Sequence, residues 1–162
     1  MPSRAAELIE RLELRPHPEG GFFREIFRSE HAVMPDDGRG SRAAITTIYF
    51  LLTRDTFSRW HRVRSDEVWH LYEGGPLELL EADLNGETVV RHTLGVVGDG
   101  DRIPVHTIST ARWQAARTTG EYALMGCSVG PGFDYADFEL LIDDRAGSQA
   151  MKRRWPEFAS LL

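Results

Sequence analysis

Apolar residues recur along this chain with two different periods, and the change of period divides it. Between Ser3 and Leu12 the residues Ala5, Leu8, Ile9 and Leu12 fall at helical spacing. Ser3 is placed to cap the first turn, so one short amphipathic helix is predicted there. Residues 15–21 then pack two prolines and two glycines into seven positions, which ends the helix and makes a shaped turn into a strand over 22–28. From Glu30 to Arg42 the composition is polar, with Pro35 and an Asp-Asp-Gly-Arg-Gly run, the pattern of an exposed loop.

Beyond that loop the period becomes that of strands. Short runs rich in β-branched, aromatic and leucine residues occupy 44–52, 57–63, 67–72, 77–82, 88–94, 103–108, 113–118, 122–129 and 138–142, each ended by Gly, Pro or a charged cluster. Asn85-Gly86 lies between two of these runs, and the dipeptide supplies the positive φ angles that a two-residue type I′ hairpin needs. Many short strands at even spacing predict an all-β sandwich, barrel or jelly roll. In the tail, Met151, Trp155, Phe158, Leu161 and Leu162 form an apolar set interrupted by Pro156. Two short helical pieces packed outside the sheets are expected there.

Length and composition narrow this picture. At 162 residues and 41% hydrophobic content, one domain spanning 1–162 is expected. Nineteen Lys plus Arg stand against twenty-five Asp plus Glu, net charge -6, with no basic run. That balance argues against a nucleic-acid partner. No apolar window reaches membrane-spanning length, which argues against a membrane partner. The lone cysteine, Cys127, cannot form an internal disulfide, and a cytoplasmic location is expected.

The polar residues that stand out within the strand-rich region are His61, Asp66, Glu67 and His70, bracketed by Trp60 and Trp69. Alternation along strands lets His61, Val63 and Glu67 share one face while His70 points to the other, where a structural role is expected. A His and a Glu projecting from neighbouring strands into a barrel serve as metal ligands, as a general acid/base pair, or as hydrogen-bond partners for a ligand. Spacing alone does not choose among these.

The run from Trp60 to Gly74 resembles the first cupin motif, with His61 at its first His, Glu67 at its Glu and Gly74 at its closing Gly. Val63 stands where the second His would be, and Asp55 where a leading Gly is expected. The second cupin motif is matched more loosely by residues 109–114, which puts Gln114 at the remaining ligand position. More specifically, the chain resembles cupin family 5 proteins through His17-Pro-Glu19-Gly-Gly-Phe-Phe-Arg24-Glu25, Ile48 to Leu52, Trp60 to Gly74, Trp113 to Ala116, and Gly130-Pro-Gly-Phe-Asp134 with Asp137-Phe138.

This resemblance implies a double-stranded β-helix with short helical segments at both ends, a homodimer, and an open pocket at one end of the barrel for a small-molecule ligand. His61 and Glu67 are the expected catalytic pair, with Gln114, Trp113, Arg24, Glu19, Tyr49 and Trp69 as substrate-binding candidates. For the His17 to Gly21 segment a tight entry turn and a route for Glu19 and Arg24 into the pocket are both open. Valine and a neutral amide in place of two imidazoles make a metal-free pocket the expectation, with a divalent metal as the alternative. Similarity to sugar-nucleotide epimerase cupins suggests an isomerase or epimerase acting on a sugar or nucleotide sugar, with His61 as general base. The tyrosine acid of those enzymes aligns with Met125, leaving Tyr122, Tyr49 and Tyr72 as the nearby tyrosines. A non-catalytic binding module and a metal-dependent, dioxygenase-like enzyme are the alternatives.

Overall fold

The computed structural model describes residues 1–98 and 100–162. The chain begins with helix α1 (Arg4–Arg11), where the Ser3 side chain accepts from the Ala6 amide. Then come β1 (Arg15–Pro16), β2 (Phe22–Arg28), β3 (Ala32–Val33), β4 (Arg42–Ala43), β5 (Thr46–Thr53), β6 (Phe57–Val63) and β7 (Asp66–Gly74). The second half contributes β8 (Leu77–Asp83), β9 (Thr88–Leu94), β10 (Val105–Ile108), β11 (Trp113–Thr118), β12 (Tyr122–Gly130) and β13 (Phe138–Leu140). Helix α2 (Arg145–Arg154) and a 3-10 segment (Pro156–Leu161), split at Trp155-Pro156, close the chain.

Two antiparallel sheets face each other. One has the order β1-β2-β5-β12-β7-β10 and the other β13-β6-β11-β8-β9, with β3 and β4 forming a separate ribbon. This is the double-stranded β-helix that the cupin resemblance implies, and one of the all-β architectures that the strand spacing allows. Their inner faces share a core in which Phe50, Leu52, Trp69, Leu77, Leu79 and Met125 are buried. Strand alternation turns Leu51 and Leu124 outward under Ala5 and Leu8 of α1. On the opposite side Trp60, Trp113, Leu80 and Ala115 face outward and are covered by Leu141, Met151, Phe158 and Leu161 of the tail. The Trp60 indole N–H donates to the Phe158 carbonyl at 2.9 Å, so a buried tryptophan keeps its polar atom satisfied while it anchors the tail.

Three local details depart from the sequence pattern. The β8–β9 connection is a four-residue loop, since Asp83 pairs with Thr88. Its positive φ falls on Glu87 at 56°, and the Asp83 carboxylate accepts from the Asn85 and Gly86 amides at 3.1 and 3.0 Å. A side chain that bonds the turn amides thus replaces the type I′ geometry expected from Asn-Gly. The 30–42 loop contains the β3–β4 ribbon, pinned by Arg39 and Arg42 to the buried Asp137 at 3.2 and 2.8 Å. Within β6 the pairing with β11 shifts between Ser58 and His61, a bulge that brings these two residues, three apart in sequence, onto the inner face together.

Candidate functional site

The cavity lies at one end of the barrel between the inner faces of β2, β5, β7 and β12 and strand β6, with a volume of about 320 Å³. Phe23, Ile48, Phe50, Val63, Val129 and Phe133 make its walls apolar, while His17, Glu19, His61, Glu67 and Cys127 place polar atoms in it. At the mouth, Arg28 forms a two-point pair with Glu25 at 2.9 and 2.8 Å and donates to the Phe133 carbonyl at 3.1 Å. The pair ties the β2 edge to the 131–135 loop.

Glu19 reaches this cavity because of the glycines that follow it. Gly20 has φ +111°, and a Cβ there would meet the Phe57 carbonyl oxygen at 2.0 Å, so only glycine lets the turn lie against β6. The turn is secured by the Arg59 amide donating to the Glu19 carbonyl at 2.8 Å. The Glu19 carboxyl then sits between the Ser58 hydroxyl, which donates to it at 2.8 Å, and His61 Nε2 at 3.2 Å.

The protonation pattern follows from these partners. His61 Nδ1 lies 2.7 Å from the Arg59 carbonyl; a carbonyl only accepts, so Nδ1 carries the proton and Nε2 offers a lone pair to Glu19. His61 is 1% exposed and Glu19 7% exposed. Burial pushes the Glu19 carboxyl up to about 8 and lowers the His61 pKa from its ordinary value. The dyad is therefore a neutral acid donating to a neutral imidazole. His17, whose Nδ1 accepts from the Glu19 amide at 3.1 Å, is lowered by burial and by the nearby His61 to about 4.

Glu67 faces the same cavity from β7, and burial raises its carboxyl to about 7. Its Oε2 accepts from Gln114 Nε2 at 2.6 Å, and Gln114 Oε1 accepts from the Trp69 indole N–H at 2.9 Å. An indole N–H can only donate, so the amide orientation is settled: oxygen to Trp69, nitrogen to Glu67. Gln114 is fully buried and lies behind Glu67, with its amide donating to the carboxylate.

The structure thus brings together His61, Glu67 and Glu19, with Gln114 and Trp69 behind them. Arg24, Tyr49 and Trp113 stand elsewhere, each turned away by alternation. Arg24 pairs with Glu13 at 2.9 Å on the outer side of β2. Tyr49 packs under α1 with Leu51, and Trp113 lies on the outer face of β11 with the Arg62 guanidinium 4.5 Å over its ring. His70 is on the outer face of β7, stacked at 6.4 Å on Tyr72. His17, Ser58 and Arg28 join the site without having been singled out as site residues. The His17-Pro-Glu19 segment carried the signal for the first; for Ser58 the β6 bulge had no sequence signature.

The donor set at this position does not fit the metal that a cupin barrel can carry. Val63 offers no ligand atom, and Gln114 turns its oxygen to Trp69 rather than to the cavity.

Linkage sets the pH dependence of stability. Carboxyls raised from 4.5 to about 8 and about 7 stabilise the native state fully below pH 4.5, and lose that contribution as pH rises through their folded values. The depressed histidines act oppositely, adding stability as pH rises toward 6.5. Above pH 6.5 only the loss remains, so chemical denaturation should show a decrease on the order of 2 kcal/mol between pH 6.5 and 8.5. Glu19→Gln should flatten most of it; a wild-type profile that is flat or rises over this range would contradict the neutral-acid assignment.

Comparison with known proteins agrees with this architecture. A hypothetical protein from Leishmania major is 30% identical, with a TM-score of 0.83 and coverage of 98% of this chain and 96% of that one. A protein from Shewanella oneidensis is 29% identical, with a TM-score of 0.82 and coverage of 99% and 95%. Oxalate decarboxylase from Bacillus subtilis shares the fold alone, at 16% identity and a TM-score of 0.57, over 91% of this chain and 36% of that one. No curated protein matches. Among the described residues no helix is long and apolar enough to cross a membrane. The family profile described as Cupin superfamily (DUF985) matches residues 6–141, and the chain belongs to that family.

Proposed function

We propose that this cupin is a proton-transfer enzyme, isomerase- or epimerase-like, acting on a small polar metabolite of sugar size. The observation that carries this is the buried constellation of Glu19, His61 and Glu67 around one cavity, with both carboxyls raised toward neutrality. Titratable groups pushed toward the working pH are what general acid/base chemistry requires. A volume of about 320 Å³ is at the small end of ligand pockets. It suits a sugar ring; the nucleotide part of a nucleotide sugar would lie beyond the Arg28–Glu25 mouth. Among the described residues, two carboxyls with no lysine or free arginine lining the cavity favour an uncharged ligand.

In this mechanism the ligand enters between the apolar walls and displaces the Glu19 carboxyl from His61. His61 Nε2 then takes a proton from a carbon next to a carbonyl, and protonated Glu67 gives one to the carbonyl oxygen. Reversal on the other face or carbon completes the isomerisation and restores both groups. Gln114 and Trp69 hold the Glu67 carboxyl at its angle throughout.

Aldoses, ketoses and small hydroxyketones should be incubated with the protein in D2O and followed by proton NMR. Deuterium entering next to the carbonyl supports the assignment. Ligands that raise the thermal midpoint without any exchange would support a binding module instead, for which the largely apolar cavity wall is the favouring observation.

The working form in this proposal is a cytoplasmic homodimer. Ile26, Phe27, Val33, Met34 and Ile45 are all exposed on or beside the β2–β5 pair and its ribbon extension, an apolar patch of the kind that marks an interface. Cys127, buried and single, suits a reducing compartment. Light scattering should report twice the 18.3 kDa chain mass, and Phe27→Asp should shift it to the monomer. A wild-type monomer at micromolar concentration would remove the dimer.

A further inference from the structure

A second cluster of chemistry-bearing side chains lies inside the barrel, on the far side of the Gln114–Trp69 pair from the cavity. Gln114 on β11 is paired on one side with His61 and on the other with Glu81 of β8. His92 of β9 pairs with Leu79, and His106 of β10 pairs with Trp69. Both partners are inner-face core residues, so both histidines turn into the barrel where the open edges of the two sheets approach. Here β9 and β10 run side by side, joined within the described residues by a single Leu94–Ile103 bridge.

Three donor atoms converge at this edge. His92 Nε2 is 3.1 Å and His106 Nε2 is 3.6 Å from Glu81 Oε2, and all three lie within 4.8 Å of one another. A divalent ion held at about 2.0–2.2 Å by each of three donors sets those donors roughly 3.0–3.5 Å apart. The spacing found is close to that. Two further features separate the cluster from an ordinary surface ion pair. The imidazole rings of His92 and His106 are stacked with centroids 3.6 Å apart, and both present Nε2 to the same Glu81 oxygen. His106 Nε2 is buried without a hydrogen-bond partner, an unsatisfied atom aimed at the same carboxylate oxygen and costly to leave so.

The carboxylate is also divided between two jobs. Glu81 Oε1 faces the Arg112 guanidinium at 3.8 Å, and Arg112 is held by Asp83 at 2.6 Å, leaving Oε2 for the histidines. Carboxylates that bind metals are commonly held in orientation by polar partners behind them, and Arg112 stands at that position.

We propose that Glu81, His92 and His106 bind one divalent transition ion of the zinc, cobalt or nickel class, joining the edges of the two sheets. Two imidazoles and a carboxylate select those ions over magnesium or calcium, which take oxygen ligands. Three protein donors leave a fourth coordination position on the ion for water. The metal takes the Nε2 lone pair of each histidine in its neutral form, with the single ring proton on Nδ1.

The test uses full-length, tag-free protein stripped with a chelator and dialysed, then titrated with Co²⁺ and Zn²⁺ by calorimetry and by the visible absorption of Co²⁺. One equivalent should bind, raise the thermal midpoint and give cobalt bands. His92→Gln and His106→Gln should each weaken binding by at least about tenfold, and His61→Gln should leave it unchanged. Circular dichroism of the metal-free variants establishes that they are folded. If either is not, Glu81→Gln replaces it, with the same weakening expected. Absence of stoichiometric binding, or binding that survives all of these variants, would overturn the site. Binding lost in His61→Gln and kept in His92→Gln would place the metal in the cavity instead and overturn it equally.

Discussion

Replacing His61 with glutamine is expected to lower deuterium exchange into a responding carbonyl substrate by about 10²–10⁴-fold, the span typical of losing a positioned general base. The ligand-induced rise in thermal midpoint should change far less. Glutamine fills most of the ring volume and can accept from the Glu19 carboxyl, which burial keeps protonated below about pH 8. The apo fold should therefore survive. Glu67→Gln should also depress exchange, since an amide cannot donate an acidic proton, yet its carbonyl oxygen can still accept from the Gln114 amide, which donates to Glu67 at 2.6 Å. If His61→Gln lost ligand affinity and turnover in equal proportion, or exchanged deuterium at the wild-type rate, His61 would be a binding residue rather than the base.

The second large effect is on stability. Trp69→Ala should destabilise the protein by about 3–5 kcal/mol, because a fully buried indole leaves a cavity between the sheets. The Gln114 carbonyl oxygen also loses its donor at 2.9 Å, adding the desolvation of an orphaned acceptor. Trp69→Phe separates the two contributions. It retains most of the packing and removes only the hydrogen bond, so a smaller loss, on the order of 1–2 kcal/mol, is expected from urea denaturation. The phenylalanine variant should also alter Glu67 chemistry, because the amide is then free to rotate. If Trp69→Phe matched the wild type in both stability and the pH dependence of exchange, the Trp69–Gln114–Glu67 chain would have no positioning role.

Much of the fold was legible because the local signals agreed with one another. β6, β9 and β11 begin and end where the apolar runs do. The Ser3 cap and the Pro156 break fall at the helix boundaries found. Alternation placed His61, Val63 and Glu67 on one face and His70 on the other, and it held because Arg64 and Ser65 turn the chain directly from β6 into β7. The Asn85-Gly86 turn misled because the deciding group was the carboxylate of Asp83, two residues before it. Arg24, Tyr49 and Trp113 lie close to family-like segments in sequence, which says nothing about the face on which a side chain emerges.

What the sequence by itself determined is the class of fold and the identity of its central pair. A period of two over many short segments calls for an all-β sandwich, barrel or jelly roll, and the resemblance of the Trp60 to Gly74 run to a cupin motif points His61 and Glu67 into its pocket. What only the tertiary structure decided is the chemical state of that pair. Glu19 lies 42 positions before His61 and meets it only because Gly20 lets a turn lie against β6 and a bulge brings Ser58 to the same face. Their pKa values come from burial, which belongs to the packed barrel and to no local segment. The same holds for Glu81, His92 and His106, which three separate strands bring within 4.8 Å of one another. Side-chain direction and desolvation are set by partners distant in the chain, and that is why the residues were readable in advance while their protonation and their second cluster were not.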